Sequence, residues 1–94
     1  MAWRIVFRAQ ARKFLEKLGR EEQKRVKIKL TALLNALENA IPPYTVPGLD
    51  FKKLRGYDNL FRIRVGELRI IMEINVDQKV IRVIRAGKRE NVYQ

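Results

Sequence analysis

Apolar residues recur along this chain first at a spacing of two, then at about 3.6, then at two again. Trp3-Arg4-Ile5-Val6-Phe7 is aromatic or β-branched at most positions and predicts a first strand. From Ala9 the period lengthens. Ala11, Phe14, Leu15 and Leu18 share one helical face, and Gly19 supplies a C-terminal stop. Val26, Leu30, Leu33, Leu34 and Leu37 form one apolar stripe, which predicts a second helix from about Arg20 to Glu38. Ile28 lies off that stripe, either at the edge of the core or in a docking patch. With so short a connection the helices should form an antiparallel hairpin.

Pro42, Pro43, Pro47 and Gly48 mark an irregular loop from about Asn39 to Asp50. A short extended piece starts at Phe51-Lys52-Lys53-Leu54, and Arg55 to Asn59 form a turn. Strict alternation then returns in Leu60-Phe61-Arg62-Ile63-Arg64-Val65 and in Leu68-Arg69-Ile70-Ile71-Met72, on either side of Gly66-Glu67. Asn75 to Gln78 form the next turn, and Lys79 to Ala86 a last strand. The predicted fold is a single α+β domain, residues 1–94, in the order β-α-α-β-β-β. The N-terminal strand and helical hairpin pack on one face of a mainly antiparallel sheet. Phe61, Ile63, Val65, Leu68, Ile70, Met72 and Ile74 should face the helices. Arg62, Arg64, Arg69, Ile71 and Glu73 should line the uncovered face.

If Gly66-Glu67 is a two-residue turn, Val65 pairs with Leu68 and Arg64 with Arg69. Two guanidiniums then stand side by side. Opposed like charges are destabilising, by about 1 kcal/mol at 4 Å in water and ~4 at an effective dielectric of 20. The arrangement makes physical sense if an anion sits on that face. Glu73, on the same face, reads as an ion-pair partner. Arg82 and Arg85 alternate with Val83 and Ile84, so one should point to each side of the last strand. They read as structural or edge charge. Trp3 and Tyr57 read as packing residues, and the many helix cations, Arg12 to Lys29, as a solvated coat.

Composition narrows the chemistry. The chain has 94 residues, no cysteine and no histidine. Disulfides, thiolate catalysis, imidazole bases and Cys/His metal sites are therefore excluded, and no cofactor is implied. Twenty-one basic residues against 10 acidic ones give a net charge of +11. Heat-stable proteins add charges of both signs in networks, so an excess of one sign reads instead as the footprint of a nucleic-acid target. No apolar run approaches the ~20 residues of a membrane span, and charges interrupt the N-terminal stretch too early for a signal peptide. The chain reads as cytoplasmic.

Several strings, in order, carry a resemblance over nearly the whole chain. They are Lys53-Leu54-Arg55-Gly56, Phe61-Arg62-Ile63-Arg64-Val65-Gly66, Leu68-Arg69-Ile70-Ile71, Gly87-Lys88-Arg89 and Val92-Tyr93. Together with the element order they resemble the RelE/ParE superfamily of type II toxin–antitoxin toxins, most closely its RelE-like branch. That resemblance implies a ribosome-dependent endoribonuclease that enters the A site and cuts messenger RNA. Attack by the ribose 2′-hydroxyl leaves a 2′,3′-cyclic phosphate and a 5′-hydroxyl. Carried over by position, the catalytic set falls on Arg64, Arg69, Arg89 and Tyr93. Arg62 would grip a neighbouring phosphate. From their charge, Lys52, Lys53 and Arg55 read equally as RNA contacts or as a flexible basic loop, and Lys88 is counted as a further RNA contact.

The resemblance also implies a cognate acidic antitoxin, RelB-like, lying across the helical hairpin or the basic sheet face. RelE-type relatives often carry lysine where this chain has Arg62 and Arg64, and the second lysine is assigned there as general base. Arginine keeps its proton in proteins, so here the likeness implies stabilisation by fixed cations rather than an ordinary acid–base pair. ParE-type members share the fold but act on DNA gyrase without cutting RNA. A small structural RNA-binding protein is the third reading of the same charge pattern.

Overall fold

The turn Gly66-Glu67 sets the register of the sheet. Gly66 has φ 60, the left-handed conformation that a II′ hairpin requires at its first central position. It joins β3 (Leu60–Val65) to β4 (Leu68–Asn75) with Val65 opposite Leu68 and Arg64 opposite Arg69, as the alternation predicts. The structure, a computed structural model, describes residues 2–88. Its remaining elements are β1 (Arg4–Phe7), α1 (Ala9–Glu16), α2 (Arg20–Glu38), a 3-10 turn (Pro43–Thr45), β2 (Asp50–Lys53) and β5 (Val80–Lys88).

The strands form one five-stranded sheet in the order β1-β5-β4-β3-β2. β2 to β5 pair antiparallel with their neighbours, whereas β1 runs parallel to β5. The expected order lacked one strand. The short extended piece after the proline-rich loop is β2, held on the outer edge of β3 with Phe51 stacked on Phe61, ring centroids 5.2 Å apart. Four residues with lysines at two of them carry too weak a pattern to establish a strand; pairing with β3 establishes it.

Both helices cover one side of the sheet. Ala11, Leu33, Ile63, Ile70, Met72, Ile81 and Val83 are fully buried, with Val65, Leu68 and Ile74 in the same cluster and Phe61 against it. Each such Leu, Ile, Val or Met side chain contributes about 1.5–3 kcal/mol through burial. Trp3 packs at the edge of this cluster, as expected. Ile28 is 57% exposed, so it is not an edge-of-core residue. Among the described residues no helix is long and apolar enough to cross a membrane.

α2 ends in a motif that the sequence conceals. The Ile41 N–H donates to Ala36 O at 2.8 Å, the Ala40 N–H to Leu37 O at 3.2 Å, and Ala40 itself takes φ 56. This is a Schellman ending with alanine where glycine is usual. An L-residue pays for that conformation, so Ala40→Gly should raise stability by about 1 kcal/mol, read as a higher urea midpoint at unchanged slope.

A bulge shapes the uncovered face. Ile71 lies opposite Arg85 while Met72 lies opposite Val83, which leaves Ile84 as an extra residue on β5. The extra residue resets the alternation. Arg82 opposes Glu73 and Arg85 opposes Ile71, so both arginines belong to the uncovered face. The expectation that they point to opposite sides fails for this reason.

Candidate nucleic-acid interface

Paired strands fix side chains in rows across a sheet. On the uncovered face one row runs Asp50, Arg64, Arg69, Gly87, and the next runs Lys52, Arg62, Ile71, Arg85. A third contains Leu60, Glu73 and Arg82. Four arginines and a lysine therefore occupy two adjacent rows. Arg64 and Arg69 are directly opposed, and among the described residues Arg69 has no carboxylate partner.

Asp50, on the edge strand, is the acidic exception. Its carboxylate accepts a 2.6 Å hydrogen bond from Arg62 and lies 3.9 Å from Arg64 Nε. The two contacts differ in kind. The Arg62 side chain is only 12% exposed, and its Nε is buried without a hydrogen-bond partner. Arg64 is 43% exposed and Asp50 53%, so their longer contact is screened and worth at most about 1 kcal/mol. A phosphate could displace Asp50 from Arg64 at little cost. Arg62 is committed to Asp50, and its expected grip on a separate phosphate would require breaking that pair. The pair ties the edge strand to β3.

Arg82 donates to Glu73 at 2.5 Å, and Glu73 also accepts from Asn59 Nδ2 at 3.2 Å. Glu73 is thus an ion-pair partner, as its position suggested. Neither residue offers a spare acid or base.

The other expected contacts divide by register. Lys52 shares the row of Arg62 and is exposed on the basic face. Lys53 opposes Phe61 and starts from the helix side of the edge strand, although it borders a shallow concavity with Lys52, Arg55 and Arg62. Lys88 opposes the core residue Leu68, so it too starts from the helix side. Arg55, in the β2–β3 turn, lines a cleft on the basic face. Arg89 and Tyr93 lie outside the described residues.

Two features escaped the sequence reading. Tyr57 is 57% exposed and lines the cleft with Arg55; it is not a packing residue. Ile71 stands on the uncovered face, as expected, but is only 6% exposed there, apart from the helix-side core cluster, and that burial was not foreseen. The signal for it was the unbroken apolar run Ile70-Ile71-Met72, which marks a strand buried on both sides.

Among the described residues no cluster of three His, Cys, Asp or Glu side chains could hold a metal ion. What this face can do chemically is bind and polarise an anion with cations fixed on rigid strands.

Comparison with known proteins agrees with this geometry. The family described as ParE toxin of type II toxin-antitoxin system, parDE, matches residues 5–93. Toxin RelE3 of Methanocaldococcus jannaschii is 47% identical over 45 residues, 48% of this chain and 49% of that protein. The chain spans about half the length of the curated relatives it matches. Solved structures cover more. The RelB-RelE antitoxin-toxin complex from Methanococcus jannaschii is similar at TM-score 0.70 and 30% identity, covering 94% of both chains. An E. coli RelE variant in the free state aligns at TM-score 0.73 and 27% identity, covering 99% of this chain and 92% of that one. From the strand order, the opposed arginines and these likenesses together, the chain belongs to the RelE/ParE superfamily of type II toxin–antitoxin toxins, in its RelE-like branch.

Proposed function

We propose that this chain is a ribosome-dependent endoribonuclease toxin that cuts messenger RNA in the A site and halts translation. The observation that carries the reading is the direct opposition of Arg64 and Arg69 on a rigid, uncovered face. Internal attack by the 2′-hydroxyl builds negative charge on the non-bridging phosphate oxygens and then on the leaving 5′-oxygen. Arg64 and Arg69 fork onto the scissile phosphate, and donors fixed before reaction lose no energy reorganising as that charge develops. Arg89 meets the leaving oxygen and Tyr93 stacks on a splayed base in this scheme.

Among the described residues, none beside Arg64 and Arg69 is a free general base: the Asp50 carboxylate is held by Arg62, and Lys52 stands one row away on the edge strand. The chain has no histidine, Glu73 is held by Arg82, and arginine keeps its proton. Deprotonation of the 2′-hydroxyl falls to solvent or to ribosomal RNA, and the ribosome supplies substrate alignment. Lys52 and Arg55 track adjacent phosphates; Arg62 ties the edge strand to β3 through Asp50.

A second reading follows from the ParE description of the matching family: inhibition of DNA gyrase without RNA cleavage. The test is a pair of assays on the purified chain. The nuclease reading expects loss of translation in a cell-free system and unchanged gyrase supercoiling. Blocked supercoiling with intact translation would overturn it.

The toxin reading requires an antitoxin, and similar RelE chains are described in complex with RelB. A groove of about 380 Å³ between β1 and the helices supports a site on the helical hairpin. Ile5, Phe7, Leu15, Leu18 and Leu34 give it an apolar lining, with Arg12 and Lys27 against the single acidic Glu16 among its charged residues. An amphipathic acidic helix fits that combination. Phe7, 39% exposed, should matter to binding but not to chemistry. Phe7→Ser is expected to weaken antitoxin binding at least fivefold, about 1 kcal/mol, in calorimetric titration, with translation inhibition retained.

A further inference from the structure

The cleft on the basic face contains something phosphate binding does not explain. It has a volume of about 300 Å³ and is lined by Leu54, Leu60, Ile71 and Ile84 with Arg55, Tyr57 and Arg85. Apolar atoms add nothing to the grip on an anion. Yet Ile71 forms a floor in the row next to Arg64 and Arg69, two residues along the strand from Arg69 and so about 7 Å away. Tyr57, which lines the same cleft, is 57% exposed. The bulge at Ile84 is what brings Arg85 onto this side, opposite Ile71.

We infer that this cleft receives one unstacked base of a single-stranded RNA. The base lies against the ring of Tyr57 and over Ile71 and Leu60. Arg55 and Arg85 hold the base edge or the phosphate beside it. A nucleotide unites the two properties of the site, a flat apolar face and an anion one row away, and single-stranded RNA recognition works through such aromatic and guanidinium platforms. Acidic groups alone would meet the charge of the arginines and leave the apolar floor and the ring unexplained. The inference rests on the RNA-cleaving reading and assigns Tyr57 a substrate contact within it.

The test is a double-mutant cycle that requires no cleavage. A fluorescent single-stranded RNA hexamer, 2′-O-methylated to prevent cutting, is titrated with the full chain at low salt. A series of hexamers each lacks one base. Tyr57→Ala should weaken binding of the intact hexamer about 5- to 150-fold, and Tyr57→Phe should retain it. Removing the base at one position should cost the parent chain a similar factor and cost Tyr57→Ala nothing more. Thermal melts equal to the parent's establish that each variant is folded. The proposal is overturned by equal costs of base removal in both proteins, by no loss in Tyr57→Ala, or by an acidic antitoxin peptide that alone responds to the change. Base coupling without any cleavage in translating extracts would sink the nuclease reading and leave the cleft standing. Cleavage without base coupling would do the reverse.

Discussion

Arg69→Ala is expected to slow messenger-RNA cleavage by about 10²- to 10³-fold while leaving the fold intact. That is the usual loss when one preorganised donor to a developing oxyanion is removed, about 2.7–4 kcal/mol. The prediction is strongest at Arg69, which among the described residues has no carboxylate partner and whose charge is opposed by Arg64. Removing one of two like charges should even relieve the sheet by a fraction of a kcal/mol. Activity should therefore fall while the urea midpoint stays level or rises. That opposite movement distinguishes a functional arginine from a structural one. Arg64→Ala should behave similarly, with a smaller gain in stability because Asp50 already offsets part of its charge. Arg64→Lys keeps the charge and loses the planar fork, so its loss should be smaller than that of Arg64→Ala. Single-turnover cleavage in a purified translation system measures all three.

Leu33→Ala should cost about 2–5 kcal/mol of stability. Leu33 is fully buried on the sheet-facing side of α2, and a small domain holds only about 5–15 kcal/mol in total. Truncation leaves a cavity between helix and sheet that a rigid strand layer cannot close. For a domain of this size each kcal/mol lowers the melting temperature by roughly 4–8 °C, so the expected shift is about 8 °C or more. Calorimetry would show it. A shift of only a degree or two would mean that the helices are not tightly seated on the sheet.

Much of this architecture was legible because alternation is a strong signal where one face is buried and the other is not. The hairpin from Leu60 to Met72 is the clearest case. One glycine at a two-residue turn fixed which arginine opposes which, and the register followed. The α2 stripe was equally plain, since Val26, Leu30 and Leu33 are all buried. What could not be read were features decided by pairing between strands. β2 is too short and too charged to declare itself without β3 beside it. The bulge at Ile84 has no glycine or proline to announce it, yet it moves Arg85 from one side of the sheet to the other.

The site was legible to a similar depth. That Arg62 and Arg64 share a face follows from period two. That Asp50 holds one at 2.6 Å and the other at 3.9 Å depends on where the edge strand docks. Tyr57 looked like packing because an aromatic beside a turn usually is. Only the cleft it lines, floored by Ile71 from β4 and walled by Ile84 from β5, gives the ring another use. Lys53 and Lys88 were counted with the RNA contacts on charge alone, and the register sets both on the helix side.

The central claim is that opposed arginines on the open sheet face hold a messenger-RNA phosphate while its own ribose attacks it. Primer extension on messenger RNA from a translating extract, with and without the chain, tests it most directly. The account predicts new 5′ ends within in-frame codons that appear only when ribosomes are present and vanish in Arg64→Ala and Arg69→Ala. Cuts that persist in both variants, or no cuts while translation still stops, would contradict it.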